Sequence, residues 1–338
     1  MELVPAELIA RAQAGDSDAF RALTDPHRRE LQVHCYRMLG SLQDAEDAVQ
    51  DALVSAWQGL GGFEGRASIR TWLYRIATNR CLDSLRSASR RPAKAWDIPG
   101  VDPPEPTRLG DVVWLEPYPD ALFDDAIGVP IGPEARYQQT ESISLAFVTA
   151  LQVLPPRQIA VLVLRDVLGF HAIEVADMLD STVESITSAL KRARANLQGR
   201  RLPNAEHAPS PRADSPSEQL LVAEFVRAYE SADLEAIVAL LTDDVFMSMP
   251  PMPLEYQGRD VVAQFCAGIL RPGRRFDLVA TRANRQPAFG AYLRDPTGIS
   301  HGTGLFVLTL AGDRISAMTR FENSVFAWFG LPHSLPSR

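Results

Sequence analysis

Cysteine is scarce in this 338-residue chain: Cys35, Cys81 and Cys266 stand far apart, with no CxxC pair. That argues against a disulfide framework or a structural zinc site and fits a reducing cytoplasm. No apolar run approaches the roughly 20 residues that a membrane-spanning helix needs. Residues 1–15 have neither the basic nor the apolar region of an export signal, so export is not expected. With no metal-ligand cluster and no phosphate-cradling glycine loop, neither metal nor cofactor is implied. What is present is ordinary for globular protein, 46% hydrophobic and 22% charged residues. At this length two or three domains are expected.

The net charge of −8 looks wrong for a nucleic-acid binder, but it is an average over segregated blocks. Arg66, Arg70, Arg75, Arg80, Arg86, Arg90 and Arg91 face only Glu64 and Asp83 in their stretch. The sign then reverses, with Asp97, Asp102, Glu105, Asp111, Glu116, Asp120, Asp124 and Asp125 against Arg108 alone. Such segregation marks two distinct surfaces, whether they face partners or only solvent.

Periodicity divides the chain into three folded segments and two linkers. Residues 5–90 read as helices throughout, with Gly40 ending one helix and Ser41 opening the next, Asp44 completing a variant capping box. Residues 91–140 are proline-rich and aperiodic, an acidic linker, although Trp114-Leu115-Glu116-Pro117-Tyr118-Pro119 is aromatic for a spacer. Helices return over 141–199, and 200–217 form a second linker. Residues 218–335 begin with helices and continue with alternation in Phe276–Thr281, Ala288–Leu293, Leu305–Leu310 and Ile315–Phe321, the pattern of an α+β domain.

The sharpest local pattern is a helix-turn-helix. Pro155-Pro156 starts one helix and Gly169 ends it. A short helix, Ile173–Leu179, leads through Asp180-Ser181 to a longer one, with Ser181 and Glu184 as its expected capping box. Val183, Ile186, Leu190, Ala193 and Leu197 form its inner side. Thr182, Ser185, Thr187, Ser188, Lys191, Arg192 and Arg194 form an outer face suited to a major groove, or to solvent in an ordinary helical hairpin. No arginine lies between Thr182 and Leu190, so weak stand-alone DNA affinity is expected.

Two more surfaces precede it. The Asp44–Leu60 helix presents Asp44, Glu46, Asp47, Gln50 and Asp51 outward, either solvated or docking a basic or helical partner. Phe63 to Arg80 then interleaves aromatics with cations, as holding unstacked bases against π-faces and backbone against arginines requires. Trp72 and Tyr74 are equally compatible with a core.

These residues carry a family likeness. Ser41 to Asp51 and Ile69 to Asp83 resemble the second conserved domain of extracytoplasmic-function sigma factors. Leu154-Pro155-Pro156-Arg157-Gln158 and the helix-turn-helix resemble the fourth. The resemblance implies two all-α domains that bind core RNA polymerase, through its β′ and β subunits, and promoter DNA. Asp44, Glu46, Asp47, Gln50 and Asp51 would dock on the β′ coiled coil. Phe63, Gly65, Arg66, Ser68, Trp72 and Asn79 would capture the −10 element, with Arg70, Arg75 and Arg80 on its backbone. Thr182, Ser185, Thr187, Ser188, Lys191, Arg192 and Arg194 would read the −35 element, and the acidic linker would thread toward the RNA exit path. Two positions depart from the family pattern: Asp180 stands for a glycine and Ala189 for an arginine. The pattern is compatible with a separate anti-sigma factor.

Residues 218–335 resemble the SnoaL-like branch of the NTF2 superfamily, a cone of curved sheet and helices around an apolar pocket. This implies a domain that regulates the sigma factor in cis, with a small-molecule ligand as one option. The aromatic tail Asn323–Pro332 would dock on another domain or close the cone. A catalytic alternative would use His301, Asp295, Asp277 or Tyr292, but Asp295-Pro296-Thr297-Gly298 reads as a turn and no acid–base pair emerges, so no enzyme is expected. Two other readings stand at this stage: a ligand-sensing helix-turn-helix regulator that does not bind core polymerase, and an NTF2-like enzyme with accessory helices.

Overall fold

A computed structural model describes residues 5–88, 96, 103–110, 114–124, 143–199 and 208–337. The chain forms two compact units, one of residues 1–91 and 122–200, the other of residues 92–121 and 201–338.

The first unit is helical. α1 (Pro5–Gln13), α2 (Ser17–Leu39), α3 (Leu42–Gly59) and α4 (Ile69–Ala88) pack as a bundle. Gly40 takes the left-handed conformation that ends α2, and its N–H returns to the Tyr36 carbonyl. The Ser41 hydroxyl accepts from Asp44 N at 3.1 Å, capping α3. Leu31, Cys35, Tyr36 and Met38 of α2, Ala45 and Ala56 of α3, and Tyr74 and Ala77 of α4 lose all solvent contact. α5 (Leu145–Gln152), α6 (Pro156–Leu162), α7 (Ala172–Met178) and α8 (Val183–Gly199) form the helix-turn-helix region. It packs within the same unit against α2 and α4.

The second unit is the expected α+β domain. Its sheet runs β1 (Arg108–Leu109), β3 (Met252–Gln257), β2 (Leu241–Met249), β7 (Arg314–Phe321), β6 (Ser300–Ala311), β5 (Gln286–Arg294), β4 (Phe276–Ala283), and β8 (Ser334–Leu335) pairs with β6. Every pairing is antiparallel except β2 with β7. α9 (Pro216–Glu230), α10 (Leu234–Ala239) and α11 (Arg259–Ile269) supply Leu221, Phe225, Ile237, Val262 and Phe265 to a core completed by Phe276, Phe289, Phe306 and Met318 of the sheet. Between the two options for the aromatic tail, Phe326 lies fully buried against Tyr292 of its own domain, ring centroids 5.3 Å apart.

The stretch expected to be a linker is built into this unit wherever it is described up to Ala121. Thr107 N and Gly110 N donate to the Glu255 and Pro253 carbonyls of β3, both at 2.9 Å, and β1 extends that sheet edge. At the opposite edge Pro119 bridges Ala283 of β4. There Tyr118 N donates to Asn284 Oδ1 at 2.8 Å, and Asn284 N returns a bond to the Tyr118 carbonyl at 2.9 Å. Tyr118 is fully buried, and Trp96 packs edge-on against Phe265.

Candidate nucleic-acid and partner interface

α3 buries Leu42, Ala45, Ala48, Val49, Ala52 and Ala56. The helical period therefore turns Glu46, Asp47, Gln50 and Asp51 to solvent, with Asp44 half-buried. Glu46 accepts from Gln32 Nε2 at 3.3 Å. The same face continues into Val54, 56% exposed, and Trp57, 38% exposed, whose ring meets Phe20 edge-on at 5.0 Å. Sequence reading missed these two. Their signal is the spacing Asp47, Gln50, Val54, Trp57, which carries an acidic stripe into an apolar end.

The loop after α3 turns at Gly65, whose φ of +70° is left-handed. Phe63 lies tilted against Trp72, ring centroids 5.0 Å apart, and both lean on a cluster of Ala12, Ala19, Leu23 and Leu60, so Trp72 is half core and half surface. Ser68 caps α4, its hydroxyl accepting from Thr71 N at 3.0 Å. Arg66 is exposed and pairs with Glu64. Arg80 is exposed and donates to Ser55 Oγ at 2.9 Å, and Asn79 is half-buried.

Arg70 and Arg75 sit differently from a free backbone-binding surface. Arg70 Nε donates to both Glu30 carboxylate oxygens, at 3.0 and 3.2 Å. Its guanidinium lies over the rings of Tyr74 (4.8 Å) and Phe170 (5.3 Å). Burial of Glu30 alone would raise its pKa, but hydrogen bonds from His27 and the charge of Arg70 outweigh it and hold the carboxyl below its usual range. Arg75 pairs with Asp180 in the recognition turn at 3.1 Å. The −10 and −35 candidate surfaces thus touch within one unit.

In the helix-turn-helix, Gly169 (φ +74°) and Asp180 (φ +45°) take the left-handed turns. Asp180 fills the family's glycine position in the conformation that aspartate tolerates better than most residues. The capping expectation needs correction. The side-chain cap of α8 comes from Thr182, whose hydroxyl accepts from Ser185 N at 3.2 Å, while Ser181 N closes the turn on the Ala176 carbonyl at 2.9 Å. Ile186, Ala189, Leu190 and Ala193 are buried, and Val183 and Leu197 partly so. Ala189 therefore lies on the packed side, where its departure from arginine removes nothing from the reading face. Thr182, Ser185, Thr187, Ser188, Lys191, Arg192 and Arg194 are exposed. Arg194 is held by two hydrogen bonds to Asp166, at 2.7 and 2.9 Å, which raise its pKa.

Of the residues of the catalytic alternative, the structure brings together Asp295 and His301, in an exposed turn, while Asp277 and Tyr292 are engaged by other partners. Asp295 Oδ1 accepts from Thr297 Oγ1 and from the Thr297 and Ile299 amides, an exposed turn in which the Thr297 hydroxyl above all holds the carboxyl at about 2. His301 sits 3.1 Å from it and is also exposed. Asp277 pairs with Arg294 at 2.6 Å, and Tyr292 Oη donates to the Pro332 carbonyl at 2.8 Å.

Comparison with known proteins gives three family matches: Sigma-70 region 2 over residues 23–91, Sigma-70 region 4 over 144–197, and a SnoaL-like domain over 222–318. The ECF RNA polymerase sigma factor SigG of Mycobacterium tuberculosis (strain ATCC 25618 / H37Rv) is 43% identical over 94% of this chain and 85% of its own. SigW of Bacillus subtilis (strain 168), another ECF RNA polymerase sigma factor, is 27% identical over 59% of this chain and 97% of its own. The crystal structure of Mycobacterium tuberculosis extracytoplasmic function sigma factor SigJ superposes with a TM-score of 0.60 at 20% identity, covering 94% of this chain and all of that one, a likeness of fold. Among the described residues no helix is long and apolar enough to cross a membrane.

Proposed function

The chain belongs to the extracytoplasmic-function sigma factors, which direct RNA polymerase to promoters and start transcription, and on that premise we propose how its surfaces divide the work. α3 docks on the coiled coil of the polymerase β′ subunit through Asp44, Glu46, Asp47, Gln50 and Asp51, with Val54 and Trp57 as the apolar end of the contact. The Phe63–Ser68 loop with Asn79 holds a base of the −10 element, and Arg66, Arg75 and Arg80 hold the neighbouring backbone. α8 reads the −35 element, against the β side of the polymerase, through its small polar and cationic face. A promoter separates the two elements by roughly 25 base pairs, ~85 Å along the duplex. The Arg75–Asp180 and Arg70–Phe170 contacts therefore belong to a resting form that opens on engagement. A repressor that ignores core polymerase would have no use for the acidic and apolar stripe on α3.

The C-terminal domain regulates this activity in cis and is not catalytic. One observation carries the reading: the connection between the two promoter-reading domains is pinned to both edges of the C-terminal domain's sheet. Pinned there, the same residues are withheld from the path toward the RNA exit. The test is the double variant Thr107→Pro, Asn284→Gly in purified cytoplasmic polymerase. Proline removes the Thr107 donor, and glycine removes the Tyr118 acceptor while suiting the φ of +55° at position 284. Promoter-dependent transcription should rise. Unchanged or lower output from a folded chain with normal polymerase affinity would overturn restraint by the C-terminal domain.

A further inference from the structure

The outward line of α8 carries a residue that neither packing nor capping accounts for. From Thr182 to Gly199 the cations are Lys191, Arg192 and Arg194, and the acid is Glu184 alone. Helical period places that acid. Ile186, Ala189, Leu190 and Ala193 are buried, and the direction opposite to them runs through Glu184, Ser188, Lys191 and Ala195, all exposed. Glu184 therefore stands at the centre of the outer face, in the first turn of the helix.

Two structural roles for this carboxylate do not hold. In a capping box it would accept from Ser181 N, but that N–H closes on the Ala176 carbonyl, and the cap is the Thr182 hydroxyl on Ser185 N. An ion pair along the helix needs a cation three or four residues away. Asp180, Ser181, Thr187 and Ser188 stand at those positions, and Lys191 is two turns on, about 10 Å along the axis. The helix dipole does favour an acid here, but one anywhere in the first turn would serve, not only one at the centre of the outer face. Hydrogen bonds from its own amide and from the Thr182 hydroxyl hold the Glu184 carboxyl below its usual range, so it is ionised at physiological pH.

We infer that Glu184 is a specificity-determining residue of the −35 contact, its carboxylate accepting from the N4 amino group of a cytosine. The assignment rests on the reading above that α8 reads the −35 element. The first turn of a recognition helix is the part nearest the base edges in the major groove. A carboxylate brought there is repelled by phosphates and by the acceptor edges of guanine and thymine. Cytosine presents a donor and no acceptor, whereas adenine sets its N7 acceptor beside the N6 donor. The neighbours Thr182, Ser185 and Ser188 have hydroxyls that both donate and accept, so they leave the discrimination at this position to the carboxylate.

The experiment incubates the full-length chain and core polymerase with a duplex library fully randomised over the −35 and −10 elements, and sequences the bound duplexes. Wild-type holoenzyme should favour cytosine at one −35 position by on the order of tenfold. Glu184→Gln should move that position to adenine, whose N6 and N7 a carboxamide matches, and Glu184→Ala should level it. Duplexes lacking that cytosine should bind Glu184→Ala more tightly than wild type, because the repulsion is gone. Preferences at the other −35 positions and at the −10 element should stay as they were, a pattern that a purely structural role at the helix start would not give. Identical preferences in wild type and both variants, or a loss spread equally over every −35 position, would overturn the assignment. Wild-type enrichment of −10 sequences with no −35 preference would overturn the reading of α8 itself, so the two failures are told apart.

Discussion

Substituting Phe170 with alanine is expected to loosen the helix-turn-helix from α2 and α4. The residue is 6% exposed, its ring 5.3 Å from Tyr74 edge-to-face and 5.3 Å from the Arg70 guanidinium. Truncating a buried phenylalanine costs ~3–5 kcal/mol, and the two aromatic contacts account for about 1–3 of these. Part of the loss falls inside the helix-turn-helix itself. About 2 kcal/mol is therefore assigned to the contact, roughly 30-fold in the balance between resting and open forms. Two readouts follow: energy transfer between dyes on α4 and α8 of the full chain, and binding of a single-stranded −10 oligonucleotide. The dyes should separate and the oligonucleotide should bind up to ~30-fold more tightly. Asp180→Asn, which keeps the left-handed turn, should do far less, because an exposed pair is worth ~0–1 kcal/mol. A folded Phe170→Ala chain with unchanged dye distance and unchanged oligonucleotide affinity would refute the resting-form argument.

Two further outcomes are expected. His34 is fully buried against Thr78 Oγ1 at 2.9 Å, and burial holds its pKa at about 3. The unfolded imidazole titrates near 6.5, so between the two values the unfolded chain binds the proton and the folded chain does not. Stability therefore falls as pH drops from 7 to 5, by about 2 kcal/mol from this group. His34→Gln should flatten that decline in urea unfolding, and an identical decline in the variant would refute it. Trp57→Ala should leave folding nearly intact, since the ring is 38% exposed, yet weaken core polymerase binding at least tenfold in competition assays, as for a tryptophan anchor. Equal affinity would place the apolar end of α3 outside the interface.

The elements that were legible in the sequence are those fixed by local chemistry. Gly40 and Ser41, Pro155-Pro156 and Gly169 set helix ends through backbone conformations that neighbouring residues hardly alter. The outward faces of α3 and α8 follow from helical period for the same reason. β2 and β3 were not legible, because Asp243-Asp244 and Pro250-Pro251 disguise them. β2 becomes a strand by pairing with β7, far along the chain. The connecting segment has no periodicity to read, since it meets the sheet a residue or two at a time at each edge. Among site residues, Arg70 reads as one cation in a basic block, yet its surroundings come from Glu30 on α2 and Phe170 in the helix-turn-helix. Ala189 shows the converse: it reads as a departure from the family's arginine, while the fold puts the residue in the core.

Charge segregation acquires a physical use once the acidic stretch is placed. Asp120 is nearly buried, which raises its pKa, and it accepts from Arg285 N at 2.8 Å with the Arg282 guanidinium 3.4 Å away. Arg282 also pairs with Glu218 at 2.6 Å. Asp120 thus has a basic seat within the second unit. If the linker threads through polymerase as proposed, a basic channel there would compete for this carboxylate. Reducing Arg282 to glutamine removes the seat's charge but also breaks the Glu218 pair, so its effect on transcription would mix release with local destabilisation. The backbone-directed pair Thr107→Pro, Asn284→Gly avoids that confusion: it weakens both edges while leaving every charge in place. A rise in transcription from that variant, with Arg282 intact, separates the hold of the backbone from the attraction of the charges.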